Sequence, residues 1–196
     1  MKFVAIDLQN DFISKGGIWY QNYPCVDFIK NDLIPYFSKT NHELSQIISD
    51  YELPRMNGSC SYCIPNTWGY NSIVPKQIIK GETWIKATRS PNWVRNKNGL
   101  HPIIRPDLFT KWLVDNIGDP NSKEPVILMG VSLDCCVLCV AQEMYFRGYN
   151  INFLYEGVDF SFQKSIIKDN FIHEFVSVWG KVVYWQEIKE FILQKK

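Results

Sequence analysis

Three kinds of side chain able to move protons or attack a carbonyl stand at the ends of apolar runs in this sequence. "KFVAI" (Lys2–Ile6) ends on Asp7, and "TWIKA" (Thr83–Ala87) carries Lys86 near its end. "PVILMG" runs into "VSLDCCVLCVA" (Val131–Ala141), which holds three of the six cysteines. With Asp134 read as a helix N-cap, Cys135 and Cys136 fall in the first helical turn and Cys139 one turn later. Unpaired backbone N–H groups and the helix dipole favour a thiolate there, and can bring a thiol below its free pKa of about 8.5. A nearby aspartate is a candidate general base, and a nearby lysine favours both anions. The plain readings also stand. Free cysteines are often small buried hydrophobes, and a charge at a strand end is often merely solvated.

The elements that would position these residues alternate. "KFVAI", "LSQIIS" (Leu44–Ser49), "TWIKA", "PVILMG", "INFLY" and "VVYW" read as six strands, short and apolar enough to be buried on both faces. Helical spacing is found over Cys25–Lys39, with Pro35 ending or kinking that helix, and over "PDLFTKWLVDNIG", Asp134–Phe146, Gln163–Trp179 and the closing "QEIKEFILQKK". Asp50–Pro75 and Ser90–Pro106 have no clean period and read as irregular excursions. The expectation is an α/β, three-layer doubly wound fold with a six-stranded parallel sheet, one domain over residues 1–196. Ligands of such sheets gather beyond the carboxyl ends of the strands. Asp7, Asp50, Lys86 and the cysteine cluster all fall there.

Composition narrows the function. Of 196 residues 46% are hydrophobic and 15% aromatic, and the formal charge is +1 with no basic block. That argues for a folded protein with no nucleic acid and no membrane as partner. "MKFVAIDLQNDF" lacks the pattern of a signal peptide, and six cysteines in a chain this long suit reduced thiols, so a cytoplasmic location is expected. His42, His101 and His173 form no spaced cluster, and no G-x-S-x-G, P-loop or dinucleotide fingerprint is present. Two CxxC pairs, Cys60/Cys63 and Cys136/Cys139, are spaced too far apart for a compact zinc ribbon.

Taken together, "AIDLQNDF" (Ala5–Phe12), Lys86 and "GVSLDCCVLCVA" (Gly130–Ala141) resemble the isochorismatase-like cysteine hydrolase superfamily. The matching positions are Asp7, Gln9, Asp11, Phe12, Lys86, Gly130, Val131, Asp134, Cys136, Val137 and Ala141. The resemblance implies a catalytic set of Asp7, Lys86 and Cys136. It implies a cis peptide at Val131–Ser132, with the amides of Ser132 and Cys136 facing an oxyanion. It implies hydrolysis of a small amide, carbamoyl or ureido C–N bond through a thioester, because the isochorismatases proper lack the cysteine. It also implies a homo-oligomer. Phe12, Trp68, Trp93 and Tyr62 are the candidate substrate-binding aromatics. Nicotinamidases of this superfamily bind a divalent metal through Asp-x-His and a later His-Cys pair. Here "SDYEL" and "CSYCIPNTWGY" give Asp50, Glu52 and Tyr62 instead. Without the imidazoles that suit zinc, the expectation is no metal and no cofactor. The other reading is a binding or scaffold protein that keeps the fold without turnover.

Overall fold

The structure is a computed structural model that describes residues 1–52, 61–96, 101–161 and 168–194. Eight strands are present among them: β1 (Lys2–Ile6), β2 (Ser45–Ser49), β3 (Trp84–Lys86), β4 (Trp93–Val94), β5 (Ile103–Ile104), β6 (Pro125–Val131), β7 (Asn150–Asp159) and β8 (Lys181–Val183). Six form one sheet in the order β3-β2-β1-β6-β7-β8, and every neighbouring pair is parallel. The winding reverses between β1 and β6, so this is the topological switch point, beyond which ligands of such sheets gather.

The unbroken apolar character of the strands follows from burial on both faces. Val4, Ile6, Val126 and Leu128 pack with Phe109, Leu113, Val140 and Met144 on one side. Phe3, Ala5, Ile127 and Met129 pack with Ile29, Leu33, Ile188 and Ile192 on the other. Removing side chains of this size from water is worth roughly 1.5–3 kcal/mol each. β1 and β6 approach closely: a Cβ on Gly130, whose φ is +124°, would lie 2.0 Å from the Ile6 carbonyl oxygen. Only glycine fits there.

Several elements depart from the expectations. Pro35 does not end its helix. Pro24–Phe28, a π-helical turn at Ile29–Leu33 and Ile34–Thr40 form one helical run. The widened turn lies directly before the proline, where an ordinary turn would set its ring against a carbonyl. Asp134 is not the N-cap. Ser132 holds that position, and the Asp134 carboxylate instead accepts the Ser161 N–H and hydroxyl at 3.0 and 2.6 Å. The 90–106 segment contains the antiparallel β4–β5 ribbon, two residues per strand and too short for a periodic signal. β7 runs four residues beyond "INFLY", and Trp185 opens the last helix, Trp185–Gln194, rather than closing β8. The first part of the expected Gln163–Trp179 helix, and Lys195 and Lys196, lie outside the described residues.

Candidate active site

The parallel register sets the candidate groups side by side. Ser49 on β2 pairs with Lys86 on β3, and Ile6 on β1 pairs with Gly130 on β6. Asp7 follows β1 with a left-handed backbone, φ +53°, a conformation aspartate tolerates better than most residues. Its N–H donates to the Ile47 carbonyl at 3.0 Å. Its carboxylate accepts from Lys86 Nζ at 2.8 Å on Oδ2 and from the Ser49 hydroxyl at 2.9 Å on Oδ1. Lys86 Nζ also donates to Ser49 Oγ at 2.6 Å and Tyr51 OH at 3.2 Å. Both charged groups are buried, at 0% exposure for Lys86 and 1% for Asp7. Burial alone would push the ammonium down, but Asp7, then Cys136 and Tyr51, outweigh it and hold Lys86 well above its ordinary value. The burial of the ammonium is offset by the carboxylate and hydroxyl oxygens that surround it.

The cysteines sit across the switch point. The Val131–Ser132 peptide is cis. Ser132 O then accepts the N–H groups of Cys135 and Val137, both at 3.1 Å, so the chain turns tightly around Cys136. Cys136 keeps 7% exposure and lies within electrostatic range of both Lys86 and Asp7. Its thiol donates to Cys135 Sγ at 4.0 Å. That contact first, and burial second, push the Cys136 thiol up, while Lys86 pulls it down. The same contact, helped by Arg89 and Lys86 against burial, brings Cys135 down to about 7. The shared contact therefore moves the two thiols in opposite directions, Cys135 downward and Cys136 upward. Cys139 is raised by burial.

The remaining motif residues brace this arrangement. The Gln9 amide donates to Ser49 O at 2.9 Å and Tyr70 O at 3.0 Å, and its oxygen accepts the Ser49 N–H at 2.8 Å. Asp11 accepts the N–H groups of Cys63 at 2.6 Å and Ile18 at 3.2 Å. A Cβ on Gly69 would lie 2.2 Å from that carboxylate, so the loop at Gly69 closes over Asp11 only because it lacks a side chain.

The four aromatic candidates separate. Phe12 and Tyr62 pack edge to face with centroids 5.6 Å apart, and Tyr62 meets Tyr51 at 4.9 Å. A chain of contacts thus runs from Lys86 through Tyr51 and Tyr62 to Phe12. Tyr62 is buried with Cys63 beneath this corner. Trp68 and Trp93 are exposed, at 52% and 37%, and among the described residues neither ring packs on Phe12 or Tyr62. A groove of about 490 Å³ lined by Gln46, Ile48, Tyr70, Ser72 and Thr83 lies elsewhere and includes none of Asp7, Lys86 and Cys136. We give the chemistry to the polar cluster, where the fully buried Asp7–Lys86 pair lies within electrostatic range of the Cys136 thiol.

Sequence reasoning missed Ser49, Tyr51, Arg89 and Arg95. Ser49 was readable in principle, since it is the last residue of an apolar run. Arg95 had no such signal. It lies just past the two-residue β4, and its guanidinium reaches back to Asp50 and Glu52.

By sequence, no family model and no curated protein matches the chain. By structure, it is similar to an isochorismatase-like hydrolase from Alkaliphilus metalliredigens, at 18% identity and TM-score 0.62 over 96% of this chain and 95% of that one. It is similar to the pyrazinamidase of Pyrococcus horikoshii solved with zinc, at 19% identity and TM-score 0.63 over 94% and 98%. The N-carbamoylsarcosine amidase of Thermoplasma acidophilum follows at 18% identity and TM-score 0.56 over 94% and 96%. The fold is isochorismatase-like. Among the described residues, no helix is long and apolar enough to cross a membrane.

The residues at the nicotinamidase metal segment do not fit a divalent ion. Arg95 Nε donates to Asp50 Oδ2 at 2.6 Å, Nη2 takes Oδ1, and Nη1 takes Glu52 Oε2. Both Asp50 oxygens are engaged in a fork with a permanent cation, and the sequence positions paired with Asp50 here, Glu52 and Tyr62, carry no imidazole. Among the described residues no group of three His, Cys, Asp or Glu side chains converges. Cys60 of the alternative zinc site lies outside the described residues.

Proposed function

We propose that this chain is a cysteine hydrolase that cleaves a C–N bond of a small amide, carbamoyl or ureido substrate. The observation that carries the reading is the buried Asp7–Lys86 ion pair within electrostatic range of Cys136, which stands on a tight turn at the switch point. The isochorismatase-like fold, shared with a pyrazinamidase and a carbamoylsarcosine amidase, supports it.

In this mechanism the Cys136 thiol passes its proton to Asp7, and the sulfur attacks the substrate carbonyl carbon. Charge moves onto the carbonyl oxygen, where the amides of Ser132 and Cys136 are the donors, each worth roughly 3 kcal/mol of barrier. The C–N bond breaks as Asp7 returns the proton to the departing nitrogen, leaving a thioester on Cys136. Water then gives a proton to Asp7 and its oxygen to the acyl carbon. The product acid leaves, and the proton returns to sulfur. Lys86 keeps its charge throughout and orients the carboxylate. Phe12, Tyr62, Trp68 and Trp93 are the aromatic surfaces proposed to meet the substrate. The proposal extends to a cytoplasmic protein with reduced thiols, in keeping with five free cysteines among the described residues. A homo-oligomer, as the resemblance implies, would be read by sedimentation.

The second reading, a binding protein without turnover, is favoured by the altered Asp50–Glu52 segment. Assay of a panel of small amides and ureido compounds with the natural chain and with Cys136→Ala separates them. The hydrolase reading expects turnover of at least one compound by the natural chain and none by the variant. Equal turnover by both, or binding of a compound with no product from either, rejects it.

A further inference from the structure

We infer that Arg95 is the resident cation of this site's rim, taking the carboxylates that would otherwise hold a divalent ion and making the chain metal-independent. Asp50 is buried, directly follows β2, and donates its own N–H to Lys86 O at 2.8 Å. A carboxylate so placed needs a partner of opposite charge. Arg95 supplies it with two parallel N–H donors on the two Asp50 oxygens and a third on Glu52. The Glu52 N–H closes back onto Asp50 Oδ1 at 3.2 Å, so both acids are drawn to one guanidinium. Two negative charges and one positive leave a net charge of about −1, which a metal ion would meet only by displacing the fork or sitting beside a fixed positive charge.

The same contact makes Arg95 a positioning residue. It lies immediately after β4, so the fork ties the β4–β5 ribbon to the carboxyl end of β2, beside Ser49 and hence beside the Asp7–Lys86 pair. Its side chain is 29% exposed. Among the described residues, three of its five N–H groups are engaged, by Asp50 and Glu52.

The test reads cation binding and thermal stability, so it stands apart from whether the chain turns over any amide. The natural chain, Arg95→Gln and Arg95→Gln/Asp50→Asn are titrated with zinc and with manganese by calorimetry and by melting temperature. The inference expects no saturable binding and no shift for the natural chain. It expects a lowered melting temperature with newly acquired, saturable binding for Arg95→Gln, lost again in the double variant. Stoichiometric binding by the natural chain that Asp50→Asn abolishes overturns it, as does an Arg95→Gln variant that binds no ion. Should Arg95→Gln fail to fold, Asp50→Asn/Glu52→Gln decides. A melting temperature lowered equally with and without added ion supports a guanidinium partner. A loss confined to the metal-supplemented sample overturns it.

Discussion

The floor and the rim of the site are both built from carboxylates facing a cation, yet they differ in kind. At the floor, Asp7 meets Lys86 with essentially no solvent, and Ser49 and Tyr51 satisfy the ammonium further. At the rim, Asp50 and Glu52 share Arg95, whose side chain is 29% exposed and Glu52's 44%. A compact ammonium suits the floor, where one charge must serve three oxygens around a point. A planar fork suits the rim, where two oxygens lie side by side. The floor is closed to solvent, and the rim is partly open to it. The contrast teaches that one site can fix a carboxylate with a sealed ammonium at its floor and with a partly exposed guanidinium at its rim.

The contrast breaks most sharply at the sulfur. Cys136→Ala should lower turnover by roughly 10⁴-fold or more while leaving the melting temperature nearly unchanged, as steady-state kinetics and calorimetry would read. Removing the floor cation comes next. Lys86→Met leaves Asp7 buried without its partner, and denaturant unfolding should report a loss of about 3–5 kcal/mol. The rim should give less. Arg95→Gln is expected to cost about 1–2 kcal/mol in the same experiment, because solvent reaches the guanidinium and screens the pair. A rim loss equal to the floor loss would erase the distinction drawn between them.

The smallest effect concerns which sulfur carries the resting charge. Cys135 is lowered from 9.0 to about 7, so its thiolate population grows as pH rises through that value, while the same contact and burial push Cys136 up. Alkylation by a limiting electrophile, mapped by peptide mass spectrometry, should label Cys135 with a midpoint near pH 7. Arg89→Ala should move that midpoint upward, since Arg89 favours the Cys135 anion. Faster labelling of Cys136 than of Cys135 in the resting protein would contradict the opposite directions of their shifts.

Much of the floor was legible in the sequence because each group ends an apolar run. A strand buried on both faces has no alternation, so the charge that stops it marks both the strand end and the crevice edge. The strand-end positions of Asp7, Lys86 and the cysteine cluster follow from that pattern, the choice of Cys136 among the three cysteines from the resemblance, and the parallel sheet from the alternation of elements. The partners within the floor were not legible. Ser49 and Tyr51 are chosen by the β2–β3 register, which no local pattern records. The rim was hidden for a related reason. Arg95 pairs across more than forty residues from an irregular segment whose strands are two residues long. Asp134 illustrates the opposite hazard. Its position fits an N-cap, but a distant serine, Ser161, takes its carboxylate.

The central claim is that Cys136 forms and loses an acyl bond under the control of Asp7 and Lys86. It is tested most directly by quenching the natural chain in acid during turnover of the best amide from the panel and locating the acyl group by peptide mass spectrometry. The account predicts an acyl mass on Cys136, absent from Cys135 and Cys139, that disappears as substrate is exhausted. Product formation with the acyl group on Cys135, or with no sulfur modified at any time, would contradict it.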